Sequence, residues 1–280
     1  MPFTLRYNLQ DNAFLNQWRS ILSISQNKKN TPNLALVTGA SRRIGFAIAI
    51  SLAESGCDIA VHHFTSDDEA DALCEQLRAL GVKAHAFAAD LSNTKSTRKL
   101  FKDVQNKMGT IDLLVNNASV FEDDKVTDLD DDLWDRHFNI HVKAPSVLAG
   151  EMAKQDDLSK GLIVNLIDQR VWKLTPQFYS YTLSKSALWA ATQTLAQGLA
   201  PNIRVNAIAP GPTLANERQS DADFKKQVDG LLLKKGPELT EFGSTILYLF
   251  NSPSITGQMI ALDGGQHLAW ETPDIIGIKE

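Results

Sequence analysis

The chain has 280 residues, a net charge of -5 and 43% hydrophobic residues, enough for one large α/β domain with a complete core. An acidic balance without a Lys/Arg stripe excludes nucleic acid as the main partner, and no apolar run reaches the roughly 18 to 20 residues of a membrane span. Cys57 and Cys74 have neither metal-ligand spacing nor a disulfide framework, and the start of the chain lacks a signal peptide's charged end and apolar centre, so the expected compartment is the reducing cytoplasm.

Residues 1–32 are polar and Asn/Gln-rich except for Phe14, Leu15, Trp18, Ile21 and Leu22. Their spacing predicts a short amphipathic helix in an N-terminal extension to a single domain over 33–280. The apolar run Leu34 to Val37 then reads as a buried strand entering Thr38-Gly39-Ala40-Ser41-Arg42-Arg43-Ile44-Gly45, and an amphipathic helix follows from Phe46 to Glu54. Strand, glycine turn and helix N-terminus together make an anion site, because free amides point at a bound pyrophosphate. Arg43 stands where the dinucleotide fingerprint expects its middle glycine.

A second strand, near 58–63, ends in His62-His63-Phe64-Thr65-Ser66, with no carboxylate before Asp67. An acid there grips the ribose diol of NAD. Here His62, Thr65, Ser66 and Arg42 are assigned to the cofactor instead, with Thr65, Ser66 and Arg42 suited to a 2′-phosphate. Strands are further expected near 82–88, 111–116, 161–167, 203–208 and 258–262, and this alternation with helices predicts a parallel sheet covered on both faces. The acids Glu122, Asp123, Asp124 and Asp128 to Asp132 read as a solvated loop leading into a helix N-terminus, with no metal site. The polar stretch 214–236 is expected to be either a substrate lid or a surface helix.

Tyr181-Thr182-Leu183-Ser184-Lys185 sets Tyr181 and Lys185 about one helical turn apart, 13 residues after an acid, Asp168. A cation beside a phenol lowers its pKa, so Tyr181 is expected to be a proton donor at neutral pH. In order along the chain, the glycine turn, Asp90-Leu91, Asn116-Asn117-Ala118-Ser119, Tyr181/Lys185 and Pro210-Gly211-Pro212-Thr213 resemble the short-chain dehydrogenase/reductase family, from about Asn33 to Ala269. The resemblance implies a doubly wound Rossmann fold with a seven-stranded parallel sheet, and NADP(H) as cofactor. It places the phosphates on Gly39, Ser41, Arg42, Arg43, Ile44 and Gly45, and the adenine on Asp90 and Leu91. Asn117, Ala118 and Ser119 would line the groove. Pro210, Gly211 and Thr213 would hold the carboxamide edge, and Tyr181 and Lys185 the nicotinamide ribose.

Two departures narrow the branch: Asp168 stands where most members have serine, and His141 where many have asparagine. Asp168, Tyr181 and Lys185, with Arg43, Ser119 and Phe121, are similar to the pteridine reductases, which reduce dihydropterins and related folates. That likeness implies a pterin between Phe121 and the nicotinamide, contacted by Arg43 and Ser119. Tyr181 would deliver the proton, Asp168 would hold or relay it, and His141 would take the asparagine's place in the relay. Two alternatives stay open: a carbonyl or 3-oxoacyl-thioester reductase, and a non-catalytic NADP-binding protein. The family further implies a homotetramer paired through Leu133–Ala153 and Ser180–Gly198.

Overall fold

The computed structural model describes residues 31–215, 219–272 and 276, so the amphipathic helix expected over Phe14 to Leu22 lies outside the described residues. Among the described residues seven strands form one sheet: β1 (Leu34–Val37), β2 (Asp58–His63), β3 (Ala84–Ala88), β4 (Leu113–Asn116), β5 (Gly161–Leu166), β6 (Ile203–Pro210) and β7 (Met259–Leu262). Their order is β3-β2-β1-β4-β5-β6-β7, and every pairing is parallel. All seven expected strands are present. Between them run α1 (Arg43–Glu54), α2 (Asp67–Ala79), α3 (Thr94–Met108), α4 (Asp131–Phe138), α5 (Ala144–Met152), α6 (Tyr179–Leu199), α7 (Asp221–Asp229) and α8 (Leu239–Phe250).

Strand pleating divides the core in two. In β1, Ala35 and Val37 face a layer that includes Ile48 and Leu52 of α1, Leu73 and Leu77 of α2, and Phe242 and Ile246 of α8. Leu34 and Leu36 face the opposite layer, with Leu100 and Phe101 of α3 and Leu148 and Met152 of α5. β1 is therefore buried on both sides, which is why it reads as an unbroken apolar run. After β1 the chain winds outward through β2 and β3, and from β4 it winds the other way. The reversal opens a crevice at the carboxyl ends of β1 and β4.

Where one long helix is expected over Leu133–Ala153, the structure has α4, a π-helical turn at Asn139–Lys143, and α5. Pro145 lies in the first turn of α5 and has no N–H to continue the ladder. The widened turn carries His141.

His62, expected at the cofactor, is drawn into the fold's own hydrogen bonding. Its ring is buried; Gly39 N–H donates to Nδ1 at 3.0 Å, and Nε2–H donates to Ala89 O at 3.1 Å. Both ring nitrogens are engaged by backbone, so His62 ties the glycine turn to the end of β3. Burial is the main cause that drops its pKa to about 4. Burial also lowers His137 and His141, whereas unfolded histidine protonates near 6.5.

Below about pH 6.5 the unfolded chain binds protons that the folded chain refuses, so stability falls with falling pH. His62 alone accounts for roughly 3 kcal/mol of this by pH 4. Urea midpoints should be level above about pH 7 and drop steadily from about 6.5 to 4, less steeply in His62→Gln. A level midpoint down to pH 5 would contradict the assignment.

Candidate active site

The crevice begins with the glycine turn. Gly39 has φ +61°, and a Cβ there would lie 3.0 Å from Ala118 Cα. A Cβ on Gly45, in the first turn of α1, would lie 2.3 Å from Gly39 O. Thr38 and Asn117 close the turn from the β4 side: Asn117 Nδ2 donates to Thr38 O and Gly39 O, and the Asn117 and Ala118 amides donate to Thr38 Oγ1, all within 2.9–3.0 Å. Among the described residues the Arg42 side chain does not cap α1, which leaves the helix's first amides to a ligand at the turn. This cradle of close backbone and open helix amides, with Ser41 and Ile44 in it, fits a dinucleotide pyrophosphate.

Arg43 has φ +56°, the left-handed region in which the fingerprint's glycine is at ease. Its guanidinium crosses the crevice to donate to Leu214 O at 3.1 Å and Ala215 O at 2.9 Å. Its partner here is the segment after β6, and it lines the crevice in which the phosphate and pterin contacts were expected from sequence. Arg42 is ion-paired with Glu69 of α2, a carboxylate that the sequence reading left out because it lies beyond the strand end. The two side chains are 58% and 46% exposed, and a pair so open to solvent is readily exchanged for a phosphate. Thr65 is exposed, and the Ser66 hydroxyl makes no cap bond to α2.

At the adenine end, Asp90 Oδ1 accepts from Ser92 N and Ser92 Oγ at 2.8 and 2.7 Å, and Leu91 is buried. At the other end, Gly211 lies under Asp263: a Cβ would meet Asp263 Cα at 2.6 Å. Thr213 Oγ1 donates to Gly211 O at 3.0 Å, and Pro210, Gly211 and Thr213 all line the crevice.

The chemistry gathers where α6 meets the end of β5. Tyr181 Oη donates to Asp168 Oδ2 at 3.0 Å. Lys185 Nζ donates to Leu166 O at 2.9 Å and lies 5.7 Å from the Tyr181 ring centroid. The expected drop in the Tyr181 pKa is corrected: burial first, then Asp168, holds the phenol well above its usual value. The cation that opposes this is Arg170, with Ser119 helping by hydrogen bond. Lys185 is itself lowered to about 8 by burial, against Asp168.

His141 is buried with both nitrogens occupied. Val120 N–H donates to Nε2 at 3.1 Å, Ser119 Oγ lies 2.9 Å from the same nitrogen, and Nδ1 is 2.8 Å from Ser184 Oγ. Ser184 Oγ donates onward to Tyr181 O at 2.8 Å. His137 repeats the rung one turn earlier, Nδ1 to Ser180 Oγ at 2.7 Å, and its ring stacks on His141. Held neutral by burial and Lys185, His141, expected from sequence in the proton relay, clamps the β4 loop to α6 behind Tyr181.

The acids before α4 divide their work. Asp130 caps α4 as expected, accepting from Leu133 N at 2.9 Å. Asp123 and Asp124 instead cap α6, accepting from Phe178 N at 2.9 Å and Ser180 N at 3.0 Å. Phe178 is held there at φ +54° and stacks on Phe121 with centroids 4.3 Å apart and planes 9° apart. Phe121 lines the crevice, but no third ring fits between it and Phe178.

The crevice encloses about 660 Å³ and brings together Arg43, Asn117, Ser119, Phe121, Asp168, Tyr181 and Lys185. Its far wall is Gln219, Asp223, Phe224 and Gln227. Of the expected lid, then, α7 is a surface helix that presents Asp223, Phe224 and Gln227 to the site, with Gln219 just before it. Sequence reasoning missed Arg170, Phe178, Gln169 and Gln266. The one available signal was Asp168-x-Arg170, an acid and a cation two residues apart.

The model of the short chain dehydrogenase family matches residues 33–226. The chain belongs to the short chain dehydrogenase family. Among curated members, it is 32% identical over 243 residues to a 3-oxoacyl-[acyl-carrier-protein] reductase of Staphylococcus epidermidis, covering 84% of this chain and 98% of the relative. Two crystal structures of FolM alternative dihydrofolate reductase 1 in complex with NADP are each 57% identical to it. The one from Brucella canis has a TM-score of 0.84 and covers 86% of this chain and 96% of its own. The one from Brucella suis has a TM-score of 0.85 and covers 88% and 99%. As a family member the chain is an oxidoreductase.

Proposed function

We propose that this short chain dehydrogenase reduces a dihydropterin with NADPH. The observation that carries the reading is the Asp168 carboxylate accepting directly from Tyr181 Oη in a crevice walled by Phe121. The 57% identity to two proteins named alternative dihydrofolate reductase supports it. When bound, the nicotinamide supplies a hydride to the carbon of a ring C=N bond. Tyr181 delivers a proton to the adjacent ring nitrogen, and Asp168 refills Tyr181 or holds its proton in place. Lys185, hung from Leu166 O, holds the ribose side of the site. Asn117 and Thr38 fix the glycine turn, and His141 fixes the loop bearing Ser119.

Arg42, Thr65 and Ser66 are the residues that select the 2′-phosphate. NADPH should exceed NADH by at least about tenfold in kcat/KM, on the order of 1.4 kcal/mol. The deciding experiment gives purified protein NADPH with dihydropterins, dihydrofolate and acetoacetyl thioesters in parallel. Pterin turnover well above thioester turnover is expected. Robust thioester reduction without pterin turnover would overturn the reading in favour of the 3-oxoacyl reductase alternative, which the Staphylococcus relative suggests.

The reading includes a homotetramer in the cytoplasm. It is supported by the lengths of α4–α5 and α6 and by two buried free cysteines. Among the described residues no helix is long and apolar enough to cross a membrane. Light scattering that finds a monomer at micromolar concentration would contradict the assembly.

A further inference from the structure

Arg170 touches Asp168 twice. Its backbone N–H donates to Asp168 Oδ1 at 2.8 Å, and its Nη1 lies 3.7 Å from Oδ2, the oxygen that already accepts the Tyr181 hydroxyl. On its other side, Cζ stands 5.0 Å from the Phe121 ring centroid and 4.9 Å from that of Phe178. The guanidinium is thus held between a carboxylate and an aromatic pair, with a side chain only 22% exposed. Its place beside reacting groups is not needed to explain the fold, since Asp168 already caps the short turn Gln169–Val171 through the backbone.

We propose that Arg170 is the positioning cation of the proton-donating pair, taking over Asp168 Oδ2 when the Tyr181 hydroxyl turns to the substrate. The proposal rests on the reading that Tyr181 and Asp168 deliver the proton. In that step the Tyr181 O–H bond breaks and a ring N–H bond forms, while the hydride's electron pair makes the new C–H bond. The Tyr181–Asp168 pair is left one unit more negative until water returns a proton. Two anionic groups about 3 Å apart need more than one counter-charge. Lys185 is turned to Leu166 O. His137 and His141, which face Tyr181 edge-on from α4 and the π turn, are held neutral. Asp123 is engaged with Phe178 N. Among the described residues, Arg170 alone forms an ion pair with Asp168.

Arg170→Met keeps much of the side chain's length and removes the charge, so the pair should bind its proton more tightly. Steady-state kinetics against pH, with NADPH and dihydrobiopterin, should show kcat about tenfold lower. Its decline at rising pH should move about one pH unit higher, with KM for NADPH unchanged. Arg170→Lys, which keeps the cation, should recover most of the rate and the wild-type profile. Phenolic-carbon NMR of Tyr181 against pH, without substrate or cofactor, should show the same displacement in Arg170→Met.

A merely structural role would lower kcat without moving the profile and without rescue by lysine, and that result overturns the proposal. So does Arg170→Met with kcat within twofold and an unmoved profile. If Arg170→Met does not fold, Arg170→Lys and Arg170→Gln supply the same comparison, with glutamine behaving as the neutral variant. A failure of the underlying reading looks different: Tyr181→Phe then stays active, and the NMR displacement is read regardless of which substrate the enzyme takes.

Discussion

Tyr181→Phe is expected to lower kcat by roughly two orders of magnitude or more, the scale of general acid catalysis, while NADPH affinity stays within about threefold. The ring would remain packed, since Phe121, His137 and His141 contact its carbon skeleton edge-on. Only the hydroxyl at 3.0 Å from Asp168 Oδ2 is lost. Without it the crevice retains Asp168, whose Oδ1 is already spent on the Arg170 amide, and no phenol to reach the substrate nitrogen. Lys185 keeps its bond to Leu166 O, so ribose binding is not disturbed. Turnover surviving within threefold would remove Tyr181 from the chemistry. Asp168→Ser should weaken pterin reduction as well, because it removes the acceptor that orients the phenol.

Gly45→Ala should weaken NADPH binding at least tenfold, about 1.4 kcal/mol, and destabilise the protein by about 1–3 kcal/mol through overpacking. The added methyl would stand 2.3 Å from Gly39 O, 2.5 Å from Asn117 Nδ2 and 3.0 Å from Ala40 Cα. None of these can step aside cheaply. Gly39 is held by its N–H to His62, Ala40 N–H donates to His62 O at 2.9 Å, and the Asn117 amide is the clasp of the turn. The methyl must therefore lift α1 away from the turn, and the first amides of α1 move with it. A fluorescence titration gives the affinity and a urea melt gives the stability. Binding within twofold of wild type would show that the cradle has more slack than its contacts indicate.

Much of the sheet was legible from sequence because a strand buried on both faces is apolar along most of its length. β1, β4 and β5 read as strands for that reason. The glycine turn was legible because Gly39 and Gly45 sit where a side chain cannot, and the Tyr181/Lys185 pair because four residues make about one helical turn. The acidic stretch was half legible. Asp130 caps the helix that follows it directly, a local effect, but Asp124 caps a helix 56 residues away. Nothing in its neighbours announces that.

Sequence by itself determined what depends on local spacing: strand and helix order, the cradle for a dinucleotide, and the presence of an acid, a phenol and a lysine near one another. Only the tertiary structure decided how those groups are charged and what they touch. Burial, more than the neighbouring lysine, sets the Tyr181 phenol, because desolvation depends on every element packed around it and not on the residue four places on. The same holds for the histidines. His62 and His141 sit where ligand-contacting residues were expected, yet each has both ring nitrogens engaged inside the protein. Arg42 meeting Glu69, Arg43 meeting Leu214, and Arg170 standing beside Asp168 and the Phe121–Phe178 stack are contacts of long flexible side chains. Their partners are chosen by which loops the doubly wound sheet brings to one edge, and that is fixed only when the whole chain has folded.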